Sequence, residues 1–355
     1  MNLLTVVGNR PQFIKAAPVS RAMMEAGVSE VLLHTGQHYD EKMSGIFFSE
    51  LDLPKPEFRL DIGSGSHGKQ TGEMLMAIED VLVTREQDAV LVYGDTNSTL
   101  AGALAASKLG IPVIHVEAGL RSYNRAMPEE VNRVTTDHLS ELLFCPTDAA
   151  VSNLAKEGIT HGVHQTGDVM LDAARFFGAI SENHSALLKE HNLEPDGFVL
   201  VTLHRAENAD CPDRLGAFVR NLEKLAEKEK VLFAVHPRTK SRLAVFGLES
   251  HLEEVLTVEP LSFFDMIEGV RAARAVITDS GGLQKEAYFH RTPCITIRSE
   301  TEWVETVEAG WNQLIEPGND DFVDLVASAT RGHSDIADYG EGKAAETIAR
   351  IVAAK

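Results

Sequence analysis

The chain has 355 residues, more than one hydrophobic core usually organises, so two domains are expected. Hydrophobic residues make up 44% and charged residues 24%, proportions of a globular protein that exclude a disordered one. With 53 acidic against 33 basic residues the net charge is -20, which argues against non-specific binding to nucleic acid or anionic membrane, since both attract basic surfaces.

In chain order, short β-branched runs alternate with helical spacing. Residues 2–8, 30–36, 89–95, 112–118 and 142–147 read as buried strands of a parallel sheet, with helices predicted over 13–26, 72–86 and 99–109. After about residue 165 the pattern restarts, with strands at 197–204, 230–237, 254–260, 274–280 and 293–298. Two βαβ series in tandem predict an α/β protein of two Rossmann-like domains whose strand C-termini face a cleft. The expected division is 1–166, 167–338 and a terminal helix in 339–355, where Ala344, Ile348 and Ile351 share a face. The three cysteines, Cys145, Cys211 and Cys294, form no C-x-x-C pair, which fits a reducing cytosol and neither a disulfide framework nor a zinc ribbon. The first residues do not read as a signal peptide, and no apolar run approaches the roughly 18 residues of a membrane helix. The expectation is a cytoplasmic protein.

Two turns read as anion sites. Gly8-Asn9-Arg10-Pro11 leads from the first strand into a helix carrying Lys15; its free N–H groups, Arg10 and Lys15 suit an anion, although an ordinary βα loop has the same form. Pro18 raises the prospect of a kink or early end in that helix. Asp279-Ser280-Gly281-Gly282 joins a strand to a helix in the second series, where phosphates can sit on backbone N–H groups and Glu286, one turn on, can reach ribose hydroxyls. The bland reading there is a tight turn needed only for packing.

Two patterns are set aside. Gly63-Ser64-Gly65-Ser66-His67-Gly68 matches G-x-G-x-x-G but follows a weak strand, and Gln70 occupies the place of the Walker Ser or Thr, so a mobile loop is expected. His34 and His38 have metal-ligand spacing, yet straddle a strand end and read as a solvated loop; no metal is expected. The acids are more informative. Asp95, Glu117, Glu129 and Glu130 follow strand ends or the loop beyond them, where carboxylates in different environments can divide acid and base work. Each also has a structural reading, Asp95 as a helix cap and Glu129 or Glu130 as first-turn acids. His204 and His236-Pro237-Arg238 hold the corresponding places in the second series.

These residues resemble the non-hydrolysing UDP-N-acetylglucosamine 2-epimerases over nearly the whole length. The markers are Gly8-x-Arg10-Pro11-x-x-Ile14-Lys15, Gly94-Asp95-Thr96, His115-Val116-Glu117-Ala118-Gly119-Leu120-Arg121, Pro128-Glu129-Glu130-x-Asn132-Arg133, Asp279-Ser280-Gly281-Gly282-x-Gln284-x-Glu286 and Tyr339-Gly340-x-Gly342-Lys343-Ala344. The resemblance implies a glycosyltransferase-B-like fold, a terminal helix returning to the first domain, a homodimer, no cofactor and a UDP-sugar substrate. It implies removal of the C2 proton as UDP leaves, a 2-acetamidoglucal, reprotonation from the opposite face and re-addition of UDP. Asp95, Glu117 and Glu129 are then the candidate acids, with the assignment of faces open. His204 joins the catalytic set, and Arg10, Lys15 and Ser280 to Gly282 meet the charge on UDP. Arg133, Arg238, Glu286 and Arg298 are further candidates for holding the substrate.

Three departures from the family pattern stand out: Gln12 where many members have Glu, Glu302-Trp303-Val304-Glu305 for Glu-Arg-Pro-Glu, and Gln37-His38-Tyr39-Asp40 for Gln-His-Arg-Glu at an allosteric segment of some bacterial members. The first two resemble the branch acting on UDP-2,3-diacetamido-2,3-dideoxyglucuronate, a surface-polysaccharide precursor. UDP-GlcNAc is placed first because the catalytic motifs are common to both. A retaining UDP-sugar glycosyltransferase and a non-enzymatic nucleotide-sugar sensor are the rival classes.

Overall fold

The computed structural model describes residues 1–37, 48, 51, 53–301, 303–335 and 337–355. The apolar runs form parallel strands covered on both faces. The first unit holds β1 (Asn2–Val7), β2 (Ser29–His34), β3 (Phe58–Arg59), β4 (Ala89–Tyr93), β5 (Val113–Val116), β6 (Leu142–Cys145) and β7 (Val163–Gln165), in the order β3-β2-β1-β4-β5-β6-β7. The second holds β8 (Phe198–Leu203), β9 (Lys230–Val235), β10 (Leu256–Val258), β11 (Ala275–Thr278), β12 (Cys294–Thr296) and β13 (Asn312–Leu314), in the order β10-β9-β8-β11-β12-β13. Strand order reverses beside β1, which pairs with β4, and beside β8, which pairs with β11. At such a switch point the loops leaving adjacent strands open a crevice, the usual place for a ligand in an open α/β sheet.

Each unit has its own core. In the first, Leu4, Val6, Leu33, Val90 and Val92 pack with Met74, Ile78, Ala101 and Ala105 from the flanking helices. In the second, Val199, Val201, Phe233 and Ile277 pack with Leu215, Phe218 and Leu222. No helix among the described residues is long and apolar enough to cross a membrane.

The helices begin earlier than their apolar spacing suggests, at Arg10–Glu25, His67–Thr84 and Asn97–Lys108. Polar first turns explain this: Asn9 and Thr96 cap two of them through their side chains, and such turns carry no apolar signal. The loop expected through residue 68 is corrected at its end, because His67 and Gly68 already belong to a helix. Pro18 sits inside its helix without ending it.

The chain divides into Met1–Ala173 with Ala337–Lys355, and Ala174–Ile336. The first unit therefore runs past residue 166 into the helix Val169–His184. Hydrogen bonds fix that extension: Asp168 N–H donates to the Tyr339 carbonyl at 3.0 Å, and the Asp172 carboxylate accepts from Ala344 N–H (3.2 Å) and Ala345 N–H (2.9 Å). Asp172 thereby serves the N-terminus of the helix Ala344–Ala353, whose Ala345, Ile348, Ala349 and Val352 are buried and which packs on the helix Arg10–Glu25.

Burial pushes the Asp172 carboxyl up to about 6, against the two N–H bonds and with help from Asp168. A raised acid favours the protonated folded state, so the contribution is fully present below the ordinary Asp value near 4 and lost as pH rises through about 6. The difference is on the order of 3 kcal/mol. Urea unfolding at pH 4.5 and 7.5 is expected to show this pH-dependent loss in the wild type and not in Asp172→Asn. An identical pH dependence in both would contradict it.

Candidate active site

In the first unit, three sheet loops converge. Asn9 accepts from Gln12 N–H at 3.2 Å and caps the first helix. Gln12, buried, accepts from Gly8 N–H at 2.7 Å and directs its amide nitrogen at the Tyr93 carbonyl and the Thr96 and Thr99 hydroxyls, each 2.9 Å away. The β1 and β4 loops are thereby tied together. Thr96, and not Asp95, caps the helix Asn97–Lys108 through a reciprocal bond with Thr99. Asp95 is thus free of the capping role.

Lys15 pairs with Glu117, and Arg133 pairs with Asp95. Gly94 (φ 59°) lies between these groups: a Cβ there would come within 3.1 Å of Glu117 Oε2 and 3.5 Å of Lys15 Nζ. Glu117 itself holds φ 71°, left-handed backbone that costs a non-glycine residue energy and is found where function over-determines the geometry. The Asp95 side chain is 30% exposed. Its carboxyl is nevertheless raised above the usual range, chiefly by loss of hydration; Arg133 opposes this, Glu117 reinforces it and Lys15 opposes it. Two carboxylates and two cations therefore share one patch at the tips of the neighbouring strands β4 and β5.

Glu129 and Glu130 part company. Glu130 is 3% exposed and accepts from Ser122 N–H (2.9 Å), the Ser122 hydroxyl (3.0 Å) and Tyr123 N–H (2.8 Å), with Arg133 at 3.3 Å. Glu129 is exposed in the first turn of the helix Pro128–Leu139 and makes no side-chain hydrogen bond or ion pair among the described residues. Arg10, in the first turn of the first helix, is half-buried.

In the second unit, Ser280 caps the helix Gly281–Phe289 by accepting from Leu283 N–H at 3.4 Å. A Cβ on Gly282 would meet only the Ser280 hydroxyl, at 4.0 Å, so the space over this N-terminus is open to an approaching group. Asp279, fully buried, accepts from His204 N–H (3.0 Å), Arg205 N–H (2.9 Å), Asn208 Nδ2 (3.1 Å) and the His204 ring at 3.0 Å. Burial alone would raise its carboxyl; the bonds from His204, Asn208 and Arg205 outweigh that and hold it low. Asp279 thus joins the β8 loop to the β11 turn, a role the sequence did not single out. His236 lies 5.6 Å from the His204 ring, and burial with the neighbouring His204 and Arg238 holds it below the usual imidazole range. Arg238 is exposed, with Asp210 at 3.9 Å; Arg298 is buried and Glu286 half-buried.

Among the described residues no group of three His, Cys, Asp or Glu side chains is arranged to hold a metal ion. His34 is stacked against Phe13 (5.2 Å) with Phe48 at 5.9 Å, and its Nδ1 accepts from Gly36 N–H at 2.8 Å. His38, Tyr39, Asp40 and Glu302 lie outside the described residues. Trp303 is buried beneath the Lys285 ammonium, 4.0 Å from its ring centroid.

The family profile described as UDP-N-acetylglucosamine 2-epimerase matches residues 21–353. The chain belongs to the UDP-N-acetylglucosamine 2-epimerase family. It is 47% identical to UDP-2,3-diacetamido-2,3-dideoxy-D-glucuronate 2-epimerase of Pseudomonas aeruginosa and 45% identical to a UDP-N-acetylglucosamine 2-epimerase homolog of Methanococcus maripaludis, each match covering 99% of both chains. It superposes on the Methanocaldococcus jannaschii UDP-GlcNAc 2-epimerase, solved in complex with UDP-GlcNAc and UDP, with a TM-score of 0.90, 42% identity and 100% coverage of both. These relatives are named as epimerases, which are isomerases. In this epimerase-family chain the patch of Asp95 and Glu117 and the open Ser280 helix terminus are formed from the motifs that carried the resemblance.

Proposed function

We propose that the protein inverts C2 of a UDP-N-acetylhexosamine, interconverting UDP-GlcNAc and UDP-ManNAc by elimination and re-addition of UDP. The observation that carries this is the meeting of Asp95 and Glu117, each paired with a cation, at adjacent strand tips. One carboxylate takes the C2 proton; the C–H electron pair forms the C1=C2 bond of the glycal as the C1–O bond breaks and UDP departs. Protonation of C2 from the other face and return of the UDP oxygen to C1 give the epimer. Asp95, raised by burial, suits the partner that gives a proton. Glu129, exposed in the first turn of the helix Pro128–Leu139, is the third candidate acid.

The N–H groups above Ser280, with Gly281 and Gly282, take the diphosphate, and His204 meets the charge that develops on it. Arg10, Lys15 and Arg133 supply further positive charge, and Arg238, Glu286 and Arg298 hold the nucleotide. The scheme uses no metal or cofactor, and the protein acts as a cytoplasmic homodimer, a reading that the family resemblance supports.

The 47% identity to the Pseudomonas aeruginosa enzyme favours a second substrate, the diacetamido uronate, for the same reaction. Proton NMR of the protein with UDP-GlcNAc and no acceptor is expected to show UDP-ManNAc growing in. Turnover of the diacetamido uronate alone would change the substrate. UDP released only on adding an acceptor would make the protein a transferase, and binding without turnover of either sugar would make it a sensor.

A further inference from the structure

Next to the Asp95–Glu117 patch lies a buried pair whose side chains take no part in the strand ladders. His115, on β5, and Asp137, on the helix Pro128–Leu139, have side chains with no exposure. His115 Nε2 is 2.7 Å from the Gly94 carbonyl and Nδ1 is 2.7 Å from Asp137 Oδ1. A carbonyl can only accept. The Asp137 carboxyl also accepts from Gly119 N–H and pairs with the Arg121 guanidinium, which favours its ionised, accepting form. Two acceptors thus face the two ring nitrogens.

The second Asp137 oxygen accepts from Gly119 N–H at 3.1 Å and from Arg121 Nη1 at 2.7 Å. Arg121 also donates to the Leu120 carbonyl and, through Nε and Nη2, to Glu157. The contacts fall on two turns. One is Gly94, the residue before Asp95; the other is Gly119 (φ 80°), two residues beyond Glu117, which itself holds φ 71°. The strands themselves are held by their own ladders. A buried ion pair is an expensive way to add stability, since apolar residues of similar volume commonly do as well, whereas a charge pair with directed bonds fixes geometry.

We propose that His115 and Asp137 are positioning residues, a doubly donating imidazole and its carboxylate that clamp the Gly94–Asp95 and Glu117–Gly119 turns so that the two reacting carboxylates keep their separation. This rests on the reading of Asp95 and Glu117 as the groups that exchange the C2 proton. Small displacements of reacting groups are costly: about 1 Å can lower a rate roughly 100-fold.

Asp137→Asn and Asp137→Ala separate positioning from bulk stability. The amide can donate to a neutral His115 through Nδ2 and accept from Gly119 and Arg121 through Oδ1, so the clamp survives; alanine removes it. Per folded molecule, Asp137→Ala is expected to lower kcat about 100-fold with little change in KM, while Asp137→Asn stays within about 5-fold of wild type. Full kcat per folded molecule in Asp137→Ala would overturn the proposal, because a merely structural role lowers only the folded fraction. Should that variant not fold, nitrogen NMR of wild-type protein labelled at histidine decides: hydrogen on both ring nitrogens of His115 supports the clamp, and an Nε2 without hydrogen, which could not donate to the Gly94 carbonyl, overturns it. Asp95→Asn and Glu117→Gln are assayed in parallel. If they keep turnover, the catalytic reading fails; if they lose it while Asp137→Ala does not, only the clamp fails.

Discussion

Asp95→Asn and Glu117→Gln are each expected to reduce turnover by about 1,000-fold, within the range that a positioned acid or base contributes. Each substitution preserves shape and removes the ability to take or return a proton. Each also removes one negative charge from beside Arg133 or Lys15, so the patch becomes more positive and the negatively charged UDP is not repelled. Affinity for UDP, measured by calorimetry, should therefore remain within a few-fold of wild type while C2 exchange is lost. A variant that keeps near-normal turnover removes that residue from the mechanism.

Asp279→Ala is expected to carry the largest stability cost in the second unit, about 3 kcal/mol or more, as for removal of one partner from a buried charged cluster. The carboxylate is fully buried and takes three N–H donors and the His204 ring; Asn208 Nδ2 would keep the Ile297 carbonyl, while the His204 and Arg205 N–H groups would lose this acceptor. Its carboxyl is held below the usual range, so its contribution is fully present above the unfolded Asp value near 4 and disappears as pH falls through the lower folded value. Denaturant unfolding at neutral pH should show the loss, and the gap between variant and wild type should close in strong acid. UDP affinity should fall as well, because the His204 loop and the Ser280 turn lose their tie. An unchanged midpoint at neutral pH would contradict this account of the loop.

The paired sheets were legible because apolar runs of four to six residues separated by helical spacing leave few alternatives. The strands missed from sequence, β7 at Val163–Gln165 and β13 at Asn312–Leu314, are three-residue edge segments too short to show any period. Asp95 and Glu117 were legible from their places directly after buried strands. What was not legible is direction. Glu129 and Glu130 are adjacent on a helix, where successive side chains point about 100° apart, and nothing in the pair says that Glu130 turns inward to hold Ser122 and Tyr123.

Gln12 read only as a departure from the family's glutamate. Its surroundings show what the amide does: it accepts from Gly8 N–H and donates to the Tyr93 carbonyl, which also receives the Thr99 hydroxyl, whereas an ionised carboxylate could only accept. His115 and Asp137 were hidden for a related reason. Their partnership joins a strand to a helix across the core, and the bond from His115 to a backbone carbonyl leaves no trace in residue type.

The proposed epimerisation requires that a proton leave C2 and be replaced from solvent-exchanging carboxyl groups. The most direct measurement is the product formed in deuterated water, examined at C2 by proton NMR and mass spectrometry. One deuterium at C2 of every epimerised molecule, with none at the other ring carbons, is the predicted result. An epimer formed with its original C2 hydrogen retained would contradict proton exchange through Asp95 and Glu117.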